Sequence, residues 1–159
     1  MANVIEVLND LEGQPTPNFS VTAPVKAGAV GSILPGYLVI VDGGNAGYVK
    51  AAADACASTS LVVGVASSTS TDTVAADGTV TFVTAPVLFI RIHAKTPANL
   101  TAAMVWTDKY ILDVSSGAYT LDQGTTTNGI FTIVKYPDTN FTTTGVCLAT
   151  VACNKFLAI

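Results

Sequence analysis

Charge is the scarcest property of this sequence. Asp, Glu, Lys and Arg make up 11% of its 159 residues, against roughly 25% in an ordinary soluble domain. The seven Lys and Arg are scattered singly from Lys26 to Lys155, and the net charge is −4. No basic stripe exists to neutralise phosphates, which argues against nucleic-acid binding. His93 is the sole histidine, so catalysis by a Ser or Cys nucleophile has one base to draw on. With three dispersed cysteines and that single His there is no zinc spacing, and Asp42, Asp72, Asp77 and Asp138 form no DxDxDG calcium loop. Apolar runs stay strand-sized, well short of the ~18 residues that cross a bilayer, so the mean hydropathy of +0.52 implies no membrane helix. The first ten residues carry Asn3, Glu6 and Asp10 without a cationic start, so no cleavable secretory signal is expected and cytoplasmic synthesis is the default.

Cys56, Cys147 and Cys153 cannot all pair within one chain. Cys147 and Cys153 fall on the same face of an alternating segment, about 20 Å apart at ~3.3 Å per residue, too far to bridge. Free, buried thiols are the expectation.

Hydrophobic residues reach 50%, and Thr and Ser supply much of the polar surface, in stretches such as Ser67 to Thr73 and Thr125 to Asn128. From Ile33 onward, turn signals recur every eight to twelve residues or so, the rhythm of barrels and sandwiches. Tyr37 to Val41 and Gly47 to Ala51 flank an Asp42-Gly43-Gly44-Asn45 hairpin. Thr79 to Val83 alternates with β-branched residues, and Val87 to His93 places Leu88, Ile90 and Ile92 on one face. Lys109 to Val114 with Ala118 to Leu121 reads as a further hairpin; Gly129 to Tyr136 and Gly145 to Cys153 complete the pattern. Pro97 to Val105 is the one stretch with the makings of a helix, of about two turns. The expected fold is all-β, a small β-barrel or β-sandwich of about eight to ten strands.

Residues 1–30 differ from the rest. Asn3, Asn9, Asp10, Gly13, Gln14, Pro15, Pro17 and Pro24 interrupt regular structure, which predicts an extended N-terminal arm before a single β domain over 31–159. Val4, Ile5, Val7, Leu8, Leu11 and Phe19 are poorly placed in a free tail, so they are expected to lie on a partner or on the domain's own side, and they form the predicted partner-binding set. No cofactor is expected.

His93 alternates with Arg91, which fits a surface or interface residue better than a catalytic base. Gly43-Gly44-Asn45-Ala46-Gly47 lacks a following helix and reads as a hairpin turn rather than a phosphate cradle. Asn18, Asn99 and Asn140 head glycosylation tripeptides of a kind expected by chance in a Thr-rich chain. Trp106, Tyr110 and Tyr119 offer material for a carbohydrate platform, although Tyr110 fits core alternation better.

In order along the chain stand Pro35-Gly36-Tyr37-Leu38-Val39-Ile40-Val41-Asp42-Gly43, Val62-Val63-Gly64-Val65-Ala66, Gly78-Thr79-Val80-Thr81-Phe82, and Gly124-Thr125-Thr126-Thr127-Asn128-Gly129. This pattern resembles the capsid decoration, or cement, proteins of tailed bacteriophages, over roughly residues 33 to 152. The resemblance implies a structural virion protein on the outer capsid surface that binds the major capsid protein, stabilises the head and associates with itself as a homotrimer. Other structural β subunits, of a head fibre, tail or cell surface, and a β-sandwich carbohydrate-binding module are the alternative expectations.

Overall fold

In the computed structural model the described residues are 4–11, 13–28, 31–56, 60–136 and 145–153, with the backbone alone at 10 and 11. Asp138 and the Asn140 tripeptide lie outside them. Three two-residue strands come first, β1 (Glu6–Val7), β2 (Asp10–Leu11) and β3 (Gln14–Pro15). Longer strands follow: β4 (Phe19–Val25), β5 (Leu38–Val41), β6 (Val49–Ala51), β7 (Val62–Ala66), β8 (Gly78–Thr84), β9 (Val87–Ala94), β10 (Lys109–Ser115), β11 (Ala118–Asp122), β12 (Phe131–Lys135) and β13 (Val146–Ala152). The all-β class read from the sequence holds.

The alternation that marks these strands is the alternation that builds the core. Val80 and Phe82 of β8, and Leu88, Ile90 and Ile92 of β9, are buried, while Thr79 is exposed. Period-two side chains need one dry and one wet face, and closing a sheet on itself supplies the dry one. The closure happens twice. β4-β6-β5-β7-β8 forms one closed barrel, and pairing of β9 with both β11 and β13 closes β9-β11-β10-β12-β13 into a second ring.

The two rings share one topology. In each, the first strand runs parallel to the third and antiparallel to the fifth, the second pairs with the third and fourth, and the fourth pairs with the fifth. Corresponding strands begin at Phe19 and Val87, Leu38 and Lys109, Val49 and Ala118, Val62 and Phe131, Gly78 and Val146, a spacing of about 70 residues throughout. The expected single barrel or sandwich is therefore a tandem of two five-stranded barrels.

Val39, Val49, Val63, Val80 and Phe82 fill the first barrel. The second barrel's interior, including Leu88, Ile90, Leu112, Phe131 and Ile133, is continuous with Leu38, Val62 and Val65 from the first barrel, so the two rings are joined by apolar contact. Polar bonds fix the joint. Tyr119 Oη donates to Ala52 O (2.8 Å), Val114 N to Asp54 Oδ1 (2.9 Å) and Ala55 N to Leu112 O (3.0 Å), while the Tyr37 and Tyr119 rings stack at 4.4 Å.

Two sequence expectations change here. The arm was expected to reach residue 30, but Phe19–Val25 is a barrel strand paired along its whole length with β8. Pro24 was read as a breaker of strands. It is tolerated because its missing N–H is not needed by the β8 ladder: Thr79, its partner, directs its own N–H and C=O to Thr71 instead. The predicted helix at Pro97–Val105 is two 3-10 turns, Pro97–Asn99 and Ala102–Met104, with no side-chain cap at either N-terminus and no buried residue within either turn; between them Leu100 is buried and, like Thr101, extended, which breaks the helix in two.

Candidate interaction surface

The predicted partner-binding residues divide into two groups. Ile5 and Leu8 are buried within the chain, and Val7 is half-buried against the second barrel's core. Ile5 N donates to Gly36 O (3.0 Å) on the first barrel, Glu6 and Val7 pair antiparallel with Arg91 and Ile90 on the second, and Leu8 N donates to Phe89 O (2.9 Å). A 3.6 Å Glu6–Arg91 ion pair accompanies this ladder. Residues 4–8 are thus a strap across both barrels, and Ile5, Val7 and Leu8 are corrected from partner contacts to internal ones. Apolar residues in a sparsely structured segment must be covered by something, and here the chain's own surface covers them.

Gly36 makes the strap's seat. Leu34 O accepts from Tyr37 N (3.1 Å), with Pro35 and Gly36 at the centre of the turn and Gly36 at φ +84°, the type II arrangement that favours glycine at its third position. A Cβ on Gly36 would lie 2.5 Å from Val4 Cβ. Beyond the strap, Asn9 and Thr16 carry the β2–β3 hairpin, whose Thr16 Oγ1 and Asn18 Nδ2 both donate to Leu8 O. The side chain of Leu11 lies outside the described residues.

Val4 and Phe19 remain exposed, at 38% and 49%. Composition gave no means of singling out Leu34, Leu61, Val74 and Val87, which are also exposed, as is Trp106 of the candidate carbohydrate platform. A strand's parity shows which residues share a face, but for loop residues such as Leu34, Val74 and Trp106 no period exists to read.

The chemical candidates resolve as follows. His93 sits on β9 opposite Val146 and beside Thr120, and burial holds its pKa below the usual value. Cys56, Cys147 and Cys153 are buried thiols in no disulfide, as expected, and burial pushes the Cys56 and Cys153 thiols up. Among the described residues no group of three or more His, Cys, Asp or Glu is placed to hold a metal ion. Tyr110 is buried, in line with its core alternation, and so is Tyr119, so of the three residues offered for a carbohydrate platform Trp106 alone is exposed, at φ +60°.

Two acidic clusters are built into the first barrel. Asp72 is buried and accepts from Ser70 Oγ and Ser32 Oγ, while Ser70 Oγ accepts from Ile33 N, so the polar 67–77 loop is stapled to residues 31–33. Asp77 is exposed and accepts from Ala27 N, Tyr48 Oη and Lys26 Nζ, which lower its pKa to about 2. Both clusters satisfy their carboxylates with donors from the chain itself and read as structural fastenings. No protein-family model matches the chain, and comparison with curated proteins and with solved structures finds no match either.

Proposed function

We propose that the chain is a structural capsid decoration protein, bound to the outer surface of a tailed-bacteriophage head, and that its work is binding rather than catalysis. The observation that carries this reading is where the family-like segments fall. Leu38–Val41, Val62–Ala66 and Gly78–Thr84 are β5, β7 and β8, three consecutive neighbours around one closed barrel. Short motifs scattered over fifty residues of sequence thus converge on one continuous wall, while the late Gly124–Gly129 segment leads into β12 of the second barrel.

The surface supports the same reading. With 11% charged residues, and with Leu34, Leu61, Val74, Val87 and Trp106 exposed, the outside has the low charge and apolar points that suit broad protein contact. The partner is the major capsid protein, together with other copies of the chain. The homotrimer follows from the family resemblance alone. Multivalent attachment turns weak single contacts into lasting ones, because each later contact forms at an effective concentration of about mM.

The test is head occupancy. Purified chain is mixed with heads that lack it and sedimented, and the pellet is reconstructed by cryo-EM. Fixed-stoichiometry density for two barrels on the outer surface is the expected result. A chain that stays in the supernatant with heads of the phage encoding it overturns the reading, as does glycan-array binding abolished by Trp106→Ala.

A further inference from the structure

The repeated topology exposes a difference between the two barrels. Val25 of β4 lies opposite Gly78 and pairs in parallel with Val49; Ala94 of β9 bonds to Gly145 O and pairs in parallel with Leu121. Aligned on these contacts, Ser20-Val21-Thr22 corresponds to Phe89-Ile90-Arg91. The β9 segment is covered on its free edge by the strap, through the Glu6–Arg91 and Val7–Ile90 pairs and the Leu8 N–Phe89 O bond. No described strand covers the corresponding segment of β4, which meets β6 only at Val25.

Hydrogen-bond direction shows which main-chain groups face this edge. Thr81 N donates to Ser68 Oγ and Thr81 O accepts from Ser67 N and Ser68 N, so Thr81 turns its main chain away from its partner Thr22. In an antiparallel ladder both members of such a pair face outward, so the N–H and C=O of Thr22, and of Ser20 two residues before, point to the free edge. Both residues are exposed. The side chains agree: Phe19 is 49% exposed and Val21 half-buried, whereas Leu88 and Ile90, their counterparts in the covered barrel, are at 0%.

We propose that the β4 edge at Ser20–Thr22 is a docking site for the same edge of a second copy, antiparallel about a two-fold axis through Val21. Ser20 of each copy then faces Thr22 of the other, and the outward N–H and C=O groups of both residues pair across the axis. Residues 19 to 23 carry no charge, so nothing in the segment repels its own copy across a two-fold, and none of the usual Lys or Glu guards of an edge strand is present. Such a contact satisfies both open edges at once and closes with two chains. Transfer of a neighbour's strap to β4 does not achieve this, since it uncovers one β9 edge for every β4 edge that it covers.

The contact is a two-fold one, separate from the three-fold association proposed for the head, and it is independent of the capsid reading because it is measured in solution without heads. Analytical ultracentrifugation of the full chain is combined with residue-resolved amide exchange. The expected result is a reversible dimer in which the Ser20 and Thr22 amides become protected as concentration rises. Thr22→Pro, which removes an outward N–H, and Ser20→Lys, which charges the edge, each raise the dimer dissociation constant at least tenfold while far-UV circular dichroism stays unchanged. Should one variant misfold, the other and the wild-type exchange data decide. A chain that is monomeric at millimolar concentration overturns the proposal, as does a dimer in which these two amides still exchange freely or which a folded variant leaves intact.

Discussion

Replacing Gly36 with alanine isolates the strap's contribution to stability. Gly36 and Gly47 share φ +84°, but a Cβ at Gly47 has nothing within 4 Å, whereas at Gly36 it meets Val4 Cβ at 2.5 Å, Val4 Cγ2 at 2.9 Å and Ile5 O at 3.1 Å. Both substitutions incur the left-handed backbone penalty, about 1–2 kcal/mol. Only Gly36→Ala also pushes Val4 and Ile5 outward, endangering the Ile5 N–Gly36 O bond, worth about 0.5–1.5 kcal/mol net, and part of the burial of Ile5, worth about 1.5–3 kcal/mol in full. The expected excess of Gly36→Ala over Gly47→Ala is therefore about 1–3 kcal/mol. For a chain of this size that is a further drop of roughly 2–12 °C in melting temperature, at about 2–4 °C per kcal/mol. Differential scanning calorimetry measures the two drops, and amide exchange at Leu8 reports whether the strap has lifted. Equal melting temperatures for the two variants, with the Leu8 amide still protected in Gly36→Ala, would refute the account of the strap as a seated element.

Removing residues 1–20 takes away the strap and the first two residues of β4, so the melting temperature is expected to fall by several degrees rather than stay unchanged, as a free arm requires. Tyr119→Phe removes the bond to Ala52 O at the barrel joint and is expected to destabilise by about 1–3 kcal/mol in denaturant unfolding, since the carbonyl loses its donor. Asp77 has a folded-state pKa lowered to about 2, so its contribution is full above the unfolded value near 3.9 and is lost as pH falls toward 2. An NMR titration of the Ala27 amide should show that transition in the wild type and lack it in Asp77→Asn. A thiol reagent at neutral pH should leave Cys56, Cys147 and Cys153 unmodified in the native chain and label them on unfolding, because burial limits access to all three and disfavours the thiolate at Cys56 and Cys153.

Parity along a strand is local information, and what it controls was legible. Thr79 to Val83 and Val87 to His93 announce their inward faces in order, and Asp42-Gly43-Gly44-Asn45 announces its turn through residues that bond to their own backbone, as Asp42 Oδ1 does with Gly44 N at 3.1 Å. The duplication was not legible. Val62-Val63-Gly64-Val65-Ala66 and Phe131-Thr132-Ile133-Val134-Lys135 occupy the same place in their barrels, yet the first is buried on both faces because it also meets the second barrel, and the second is only half-buried on one face. Equivalent strands in unequal surroundings retain a shared ladder and lose a shared sequence.

The strap shows why Ile5, Val7 and Leu8 of the partner-binding set lie on the chain itself while the premise that they need cover is sound. Val4 to Leu8 does need cover, but hydrophobicity is non-directional, so side chains that demand burial carry no address for it. The address lies elsewhere in the chain, in the left-handed Gly36 that leaves room for Val4 and in the β9 edge that β11 leaves open at Phe89–Arg91. Neither is visible without knowing that β9 pairs with β11 only at His93 and Ala94. The same gap in the first barrel, bounded by the single Val25–Val49 pair, is filled by no strand among the described residues. A short third strand leaves most of the first strand's edge bare in both rings, and the chain covers one of these edges with its N-terminus. The other edge, at Ser20–Thr22, is the one we propose to pair with a second copy.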